Sequence, residues 1–308
     1  MKFVLPDPSD LLETDKTKLK SLGEVTFYEE MPATEEEVIQ RIDGAELIAL
    51  SWIDITENII KSNPNLKYIV VLAVGYDQID LQAASAANIK VINCPTHNAL
   101  AVAEYTIGLI FTVTRRILEA NLFLREGSWS QQRFRGVELR GKKLGLIGYG
   151  NSGREVEKLA IALGMEVEHA TSKTSSGDLD QLIATSDILS LHLPLTEQSK
   201  HLIDERRLNL LKPSAYLINT ARGAIVDQQA LIKILNQKRI AGAALDVFED
   251  EPVSGLPTRE MLELIRLGNV VATPHIAYNS EEMAARLGAE LIANIQACIE
   301  GKPINVVN

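Results

Sequence analysis

Short β-branched or aliphatic runs alternate with helical patterns almost from end to end of the 308-residue chain. This rhythm restricts the fold more than any other property. Strands that alternate with helices pair in parallel, and each crossover helix covers a face of the sheet it returns to. Two such blocks are visible. In the first, residues 3–5, 47–50, 68–72 and 91–93 read as strands, separated by helical stretches such as 34–41 and 56–61. In the second, residues 144–147, 166–168, 188–191, 216–218, 240–245 and 270–272 follow the same order. Between the blocks, residues 99–124 form one long apolar-periodic helix pattern, and residues 281–300 form another after Pro274. Each marks a hinge position. A helix of that size after the last strand of the second block docks only by returning to the first. The expected organisation is therefore a discontinuous first domain, 1–98 with 282–308, and an inserted second domain, 99–281, both doubly wound α/β.

Composition narrows the role. With 46% hydrophobic residues the chain has material for about two cores. Lys and Arg number 31 against 41 Asp and Glu, a formal net charge of −10 that opposes nucleic acid or an anionic membrane as partner. No apolar run approaches the eighteen or so residues of a membrane span. The start, MKFVLPDPSD, breaks at Pro6 and Pro8 before a signal core forms, so the expected address is the cytosol. Cys94 and Cys298 read as two buried thiols, and alone they make no metal site.

The first chemical signal is LGLIGYGNSGR at 144–154, a strand, then Gly148-x-Gly150-x-x-Gly153, then an amphipathic helix. Gly148 permits the tight turn. Gly150 lets backbone N–H groups approach a pyrophosphate at the helix N-terminus, and Gly153 allows close packing of helix on strand. Asn151, Ser152 and Arg154 share that first turn. In this context the loop reads as a dinucleotide cradle rather than a plain tight turn. The acid that closes the second strand of such units, bonding the ribose 2′-OH, is missing: the strand runs into Thr171, Ser172 and Lys173, with Glu168 too early. A carboxylate about 4 Å from a 2′-phosphate would cost roughly 4 kcal/mol at an effective dielectric near 20, whereas Lys173 would be attracted. The expected cofactor is NADP, with NAD at lower affinity; the other reading is a solvated loop that ignores the ribose.

Five histidines are available for proton transfer near neutral pH: His97, His169, His192, His201 and His275. His169 lies near the expected ribose site, His201 opens a helical region, and His192 precedes Pro194 at a strand end; these read as packing or cofactor-loop residues. His97 sits near the crossing between domains and is a candidate to line the cleft. His275, in ATPHIA, follows a strand whose end faces the ligand crevice of an open α/β sheet, and is the strongest general acid/base candidate. Two more strand ends carry charge: Arg222 after YLINTA, and Asp246 with Glu251 in ALDVFEDEP. A bidentate Arg suits a substrate carboxylate, and an acid beside His fixes its tautomer.

These motifs together resemble the D-isomer-specific 2-hydroxyacid dehydrogenases along essentially the whole chain. The resemblance is carried by VGYDQID at 74–80, NALAVAE at 98–104, GKKLGLIG at 141–148, HLPLT at 192–196, NTARG at 219–223, LDVFEDEP at 245–252 and TPH at 273–275. It implies a Rossmann cofactor domain inserted into a flavodoxin-like substrate domain. It further implies that Arg222 grips the 2-keto acid's carboxylate, His275 exchanges the proton, and Glu251 pairs with His275. Asp246 would hold the nicotinamide carboxamide, and N–H groups around Val74 and Gly75, near Asn98, would take the carboxylate from the other domain. A homodimer through the second domain is implied as well. The chain departs from the family pattern at Thr96, at Ser152 and at the lost ribose acid, the last of which resembles the NADP-preferring glyoxylate or hydroxypyruvate reductases. Glu251 argues against a formate dehydrogenase, and with the sequence ending at Asn308 no regulatory module of the longer phosphoglycerate dehydrogenases is expected. Trp52 reads either as a wall of the substrate side or as core. The competing function, from another class, is a dinucleotide-sensing corepressor-like protein on the same scaffold.

Overall fold

The computed structural model describes residues 1–252 and 255–308. Its contacts divide the chain into two units, Met1–Asn98 with Asn279–Asn308, and Ala99–Tyr278. The return to the first unit thus begins at Asn279, against 282 in the sequence reading.

The first unit contains β1 (Lys2–Leu5), α1 (Glu13–Leu22), β2 (Glu24–Phe27), α2 (Glu35–Arg41), β3 (Leu47–Leu50), α3 (Glu57–Ser62), β4 (Tyr68–Val71), α4 (Leu81–Ala86), β5 (Lys90–Ile92) and the C-terminal helix Glu281–Ile299. Its parallel sheet has the order β2-β1-β3-β4-β5, the flavodoxin-like arrangement. Central strands lie between helices on both faces, so they are apolar without alternation: Leu47, Ile48, Ala49 and Leu50 are all fully buried. The strand β2 escapes a search for such runs, because Glu-Val-Thr-Phe on the sheet edge alternates exposed and half-buried positions. The C-terminal helix packs on α1 at Gly288, where a Cβ would fall 2.0 Å from the Asp15 carboxylate. The last residues cover the other sheet edge, with the Val307 N–H donating to the Val91 carbonyl at 2.9 Å.

The second unit contains α5 (Ala99–Thr114), α6 (Ile117–Arg125), β6 (Lys143–Ile147), α7 (Asn151–Ala162), β7 (Glu166–Ala170), α8 (Ser176–Thr185), β8 (Ile188–Leu191), α9 (Glu205–Leu208), β9 (Tyr216–Asn219), α10 (Gln228–Asn236), β10 (Gly242–Leu245), α11 (Arg259–Ile265) and β11 (Val270–Ala272). The six strands are parallel, in the order β11-β10-β9-β8-β6-β7. The chain therefore reverses its winding at β6, with β7 on one side and β8 on the other, and that reversal is the crevice where doubly wound sheets bind ligands.

The single helix expected over 99–124 is two helices. Arg116 takes a left-handed φ of 54° between them. The break is made by later residues: the Val137 N–H reaches the Thr114 carbonyl at 3.0 Å, and the Arg116 guanidinium donates to the Arg133 carbonyl at 3.0 Å. The contact at the Thr114 carbonyl marks the end of α5, and periodicity alone carries no sign of it. The strand expected to begin at Ile240 begins at Gly242, where a Cβ would meet the Asn269 carbonyl at 2.5 Å. Both cysteines are free and buried. Among the described residues no helix is long and apolar enough to cross a membrane.

Candidate active site

All six strands of the second unit end level. Register pairs Ala272 with Leu245, Leu245 with Asn219, Asn219 with Leu191, Leu191 with Ile147, and Ile147 with Ala170. The residues that follow these positions are the candidates from the sequence: Thr273 to His275, Asp246, Arg222, His192, Gly148 and Thr171. Parallel pairing brings to one edge groups that the sequence scatters widely.

The glycine loop has the mechanics of a phosphate cradle. Gly148 adopts φ +95°, and a Cβ there would lie 2.1 Å from the His192 carbonyl oxygen. A Cβ on Gly153 would lie 2.8 Å from the Gly148 carbonyl. At Gly150 the opposite holds, since a Cβ would meet nothing within 4 Å. Gly150 caps α7 with no side-chain hydrogen bond, and the first turn, which includes Asn151, Ser152 and Arg154, holds no acid. A helix N-terminus bearing its dipole and unshielded by a carboxylate fits an anionic pyrophosphate.

Beside the loop, the Tyr149 ring stacks on His169 with centroids 3.8 Å apart, its hydroxyl donates to Glu157, and Arg154 lies 5.7 Å from the same ring. The hydrogen bond to Glu157 pushes the Tyr149 phenol up, burial adding to it. After β7, the Thr171 N–H donates to Thr174 Oγ1 at 2.9 Å and the Lys173 N–H to Thr171 Oγ1 at 3.3 Å, so residues 171–174 close a small turn. Thr171, Ser172 and Lys173 are exposed. Glu168 is engaged by Lys143 at 2.8 Å.

His192, the first residue after β8, packs its side chain inward. Its buried ring meets Ser190 Oγ at 2.8 Å, and burial drives its pKa down to about 4. What it offers the loop is the carbonyl pressed on Gly148. Pro194 is exposed, and its carbonyl accepts from Ser199 Oγ at 2.8 Å.

The titratable core of the site lies on the segments after β9, β10 and β11. His275 Nδ1 is 2.6 Å from Glu251 Oε2, while Glu251 Oε1 accepts the Phe248 N–H at 2.8 Å. With Nδ1 held by a carboxylate, Nε2 is the ring nitrogen left for other contacts. The Tyr278 ring meets the imidazole edge-on at 6.1 Å. His275 sits at φ +53°, and that unusual conformation has an evident cause. Asp246 takes the Thr273 hydroxyl at 2.6 Å, the Ile276 N–H at 3.0 Å and the Ala277 N–H at 2.7 Å, and its own carbonyl accepts the His275 N–H at 2.8 Å. Asp246 has no exposed surface. Its carboxylate clamps the segment that carries His275.

Arg222 precedes a single 3-10 turn at Gly223–Ile225 and is half-buried. Asn219 fixes the bend around it, donating to the Arg222 carbonyl at 3.0 Å and accepting the Ala221 N–H at 3.0 Å. A Cβ on Gly223 would lie 1.8 Å from the Phe248 carbonyl carbon, so only glycine lets the β9 and β10 loops touch. The strands bearing Arg222 and His275 are two positions apart in the sheet, about 10 Å at the usual strand spacing.

Trp52 is 50% exposed, which rules out a core role, and its N–H donates to Asp7 Oδ2 at 2.6 Å. Val74 is exposed and its carbonyl accepts from Asn93 at 2.8 Å; Gly75 and Asn98 are half-buried. The buried ring of His97 faces the Cys94 carbonyl at 2.8 Å, and its N–H donates to Glu290 at 3.1 Å. Sequence reasoning passed over Tyr149, Asp7, Tyr278 and Gly223. Of these only Gly223, adjoining a charged strand end, carried a local signal.

Comparison with known proteins agrees with this geometry. Residues 107–277 match the family model described as D-isomer specific 2-hydroxyacid dehydrogenase, NAD binding domain. The chain is 39% identical to the hydroxypyruvate reductase of Thermotoga maritima, covering 94% of this chain and 95% of that protein. It is 38% identical to the glyoxylate reductase of Thermofilum pendens, covering 99% and 92%. Of a matching D-3-phosphoglycerate dehydrogenase from Methanocaldococcus jannaschii it spans 59% of the length. Among solved structures, an acyclic imino acid reductase in complex with NADPH and D-Arg superposes with a TM-score of 0.92 at 35% identity, over 100% of both chains.

Proposed function

Because the chain belongs to the D-isomer specific 2-hydroxyacid dehydrogenases, we propose that it reduces a small 2-keto acid to the D-2-hydroxy acid with NADPH, glyoxylate, hydroxypyruvate or a close analogue being the substrate. The observation that carries this reading is the 2.6 Å His275–Glu251 pair, on the same sheet edge as Arg222 and the glycine loop.

Reduced nicotinamide, when bound, supplies the hydride. Gly148, Gly150, Gly153 and the first turn of α7 would hold the pyrophosphate. Arg222 takes the substrate carboxylate and fixes the keto carbon. Protonated His275 gives its Nε2 proton to the 2-oxygen as negative charge develops there, and Glu251 balances the imidazolium that exists before transfer. Hydride and proton together complete the two-electron reduction. Asp246 acts through the backbone of 273–277. Val74, Gly75, Trp52 and Asn98 stay proposed substrate-side residues of the first unit. Preference for NADP over NAD is supported by the exposed Thr171, Ser172 and Lys173, which bring hydroxyls and a cation where a carboxylate would repel a 2′-phosphate.

A homodimer through the second unit fits α6, which buries none of its residues while Ile117, Leu122 and Leu124 are 52%, 51% and 55% exposed.

The deciding experiment follows nicotinamide absorbance with purified protein, NADPH or NADH, and a panel of 2-keto acids. Turnover on glyoxylate or hydroxypyruvate, faster with NADPH, is expected; no turnover on any of them overturns the reading. Thr171→Asp moves preference toward NADH, and an undiminished NADPH preference would put phosphate recognition elsewhere. The imino acid reductase similarity favours one second reading, in which the same proton goes to an imine nitrogen. Adding ammonium to the panel, with an arginine-derived keto acid among its members and amino acid as the assayed product, separates the two.

A further inference from the structure

The segment after β10 carries a second histidine–carboxylate pair that the mechanism does not use. Glu249 Oε1 lies 2.7 Å from His201 Nε2, two residues before Glu251 meets His275 Nδ1 at 2.6 Å. The two pairs thus hold neighbouring carboxylates of one short strap. His201 is unusual in its backbone as well: it adopts φ +49°, and its N–H donates to the Ala224 carbonyl at 2.8 Å. That carbonyl belongs to the 3-10 turn that follows Arg222. The turn leading to His201 is stiffened by Ser199, whose Oγ accepts the Thr196 N–H at 2.7 Å and donates to the Pro194 carbonyl at 2.8 Å. On the strap itself, the Glu249 N–H donates to Gln228 Oε1 at 3.2 Å, and the Phe248 carbonyl abuts Gly223.

His201 is therefore anchored by its main chain to the Arg222 loop and by its ring to the strap that presents Glu251. We propose that His201 is a positioning residue for proton transfer: through Glu249 it holds the strap so that the Glu251 carboxylate meets His275 in line. A partly exposed histidine–carboxylate contact of this kind adds little to stability, which leaves geometry as its function. A misplacement of about 1 Å in a catalytic group is enough to lower turnover strongly. Because the backbone anchor survives a side-chain change, loss of the ring loosens the Glu251 side and spares Arg222. The inference rests on the roles proposed above for His275 and Glu251.

The test uses the full chain, the keto acid turned over fastest in the panel, and NADPH. His201→Ala is expected to lower kcat about tenfold, with KM for the keto acid, NADPH affinity by fluorescence and the melting temperature little changed. His201→Gln, which keeps a donor toward Glu249, recovers most of that loss. In a Glu251→Gln background, His201→Ala lowers kcat less than about twofold further, because both act through one group. Unchanged kcat in His201→Ala, an undiminished tenfold loss in the Glu251→Gln background, or a loss that follows melting temperature and is not recovered by Gln would each overturn the proposal. His275→Asn separates the two levels. If it is inactive while His201→Ala is fully active, the link from His201 alone fails; if it is fully active, the reading of the site fails with it.

Discussion

Asp7 and Asp246 do the same mechanical work in different units and to different ends. Each follows a strand, β1 or β10, and each is buried. Each accepts N–H groups from the loop that leaves the adjacent strand, β3 or β11. Asp7 takes the N–H groups of Ser51, Trp52 and Ile53, at 3.0, 2.6 and 3.3 Å from Oδ2. Asp246 takes those of Ile276 and Ala277, with the Thr273 hydroxyl besides. Burying a carboxylate is tolerable only because several donors replace its water. For Asp7 burial outweighs the four backbone bonds that lower its pKa, and the carboxyl is pushed above its ordinary value. The loops they hold differ in what they present: one an exposed indole, Trp52, the other an imidazole backed by Glu251. A buried acid at a strand end is thus a way of making a loop rigid, and chemistry enters only with the side chain that the loop displays.

The comparison breaks most visibly at the displayed groups. His275→Asn is expected to lower turnover by about a hundredfold or more while leaving NADPH binding intact, measured by steady-state rates and cofactor fluorescence. Arg222→Lys keeps the charge but loses the planar fork, and kcat/KM for the keto acid should fall by about tenfold or more. Asp246→Asn turns an amide N–H toward backbone donors, so it should cost roughly 1–3 kcal/mol of stability and lower turnover through His275. Asp7→Asn should cost a similar stability yet leave kcat within about twofold; equal losses of turnover in the two variants would erase the distinction drawn here. The smallest effect is one of pH. The folded chain binds a proton at Asp7 more readily than the unfolded chain, so stability falls as pH rises from the ordinary carboxylate value through Asp7's raised one. Urea unfolding across that window should show the fall in the parent protein and a flatter profile in Asp7→Asn.

Several of these groups were legible in the sequence because strand ends of a parallel sheet share an edge. Arg222, Glu251 and His275 were identified by lying just beyond apolar runs, and the glycines by their spacing. Other features were not. The strand β2 has an edge strand's alternation in place of a buried run. The break at Arg116 depends on Val137 reaching back to Thr114. The burial of His97 and His192 depends on neighbours far away in the chain, and so does the Tyr149–His169 stack.

The sequence alone determined the alternation of strand and helix, the glycine turn, and which charged residues stand at strand ends, because periodicity and backbone freedom are local properties. Only the tertiary structure decided which oxygen meets which proton. The Asp246 clamp, the Glu251–His275 pair and the tie from His201 to Glu249 each join segments whose proximity is created by parallel pairing and close loop contact at Gly223. Hydrogen bonding acts over about 3 Å, and that distance is fixed by packing rather than by order along the chain.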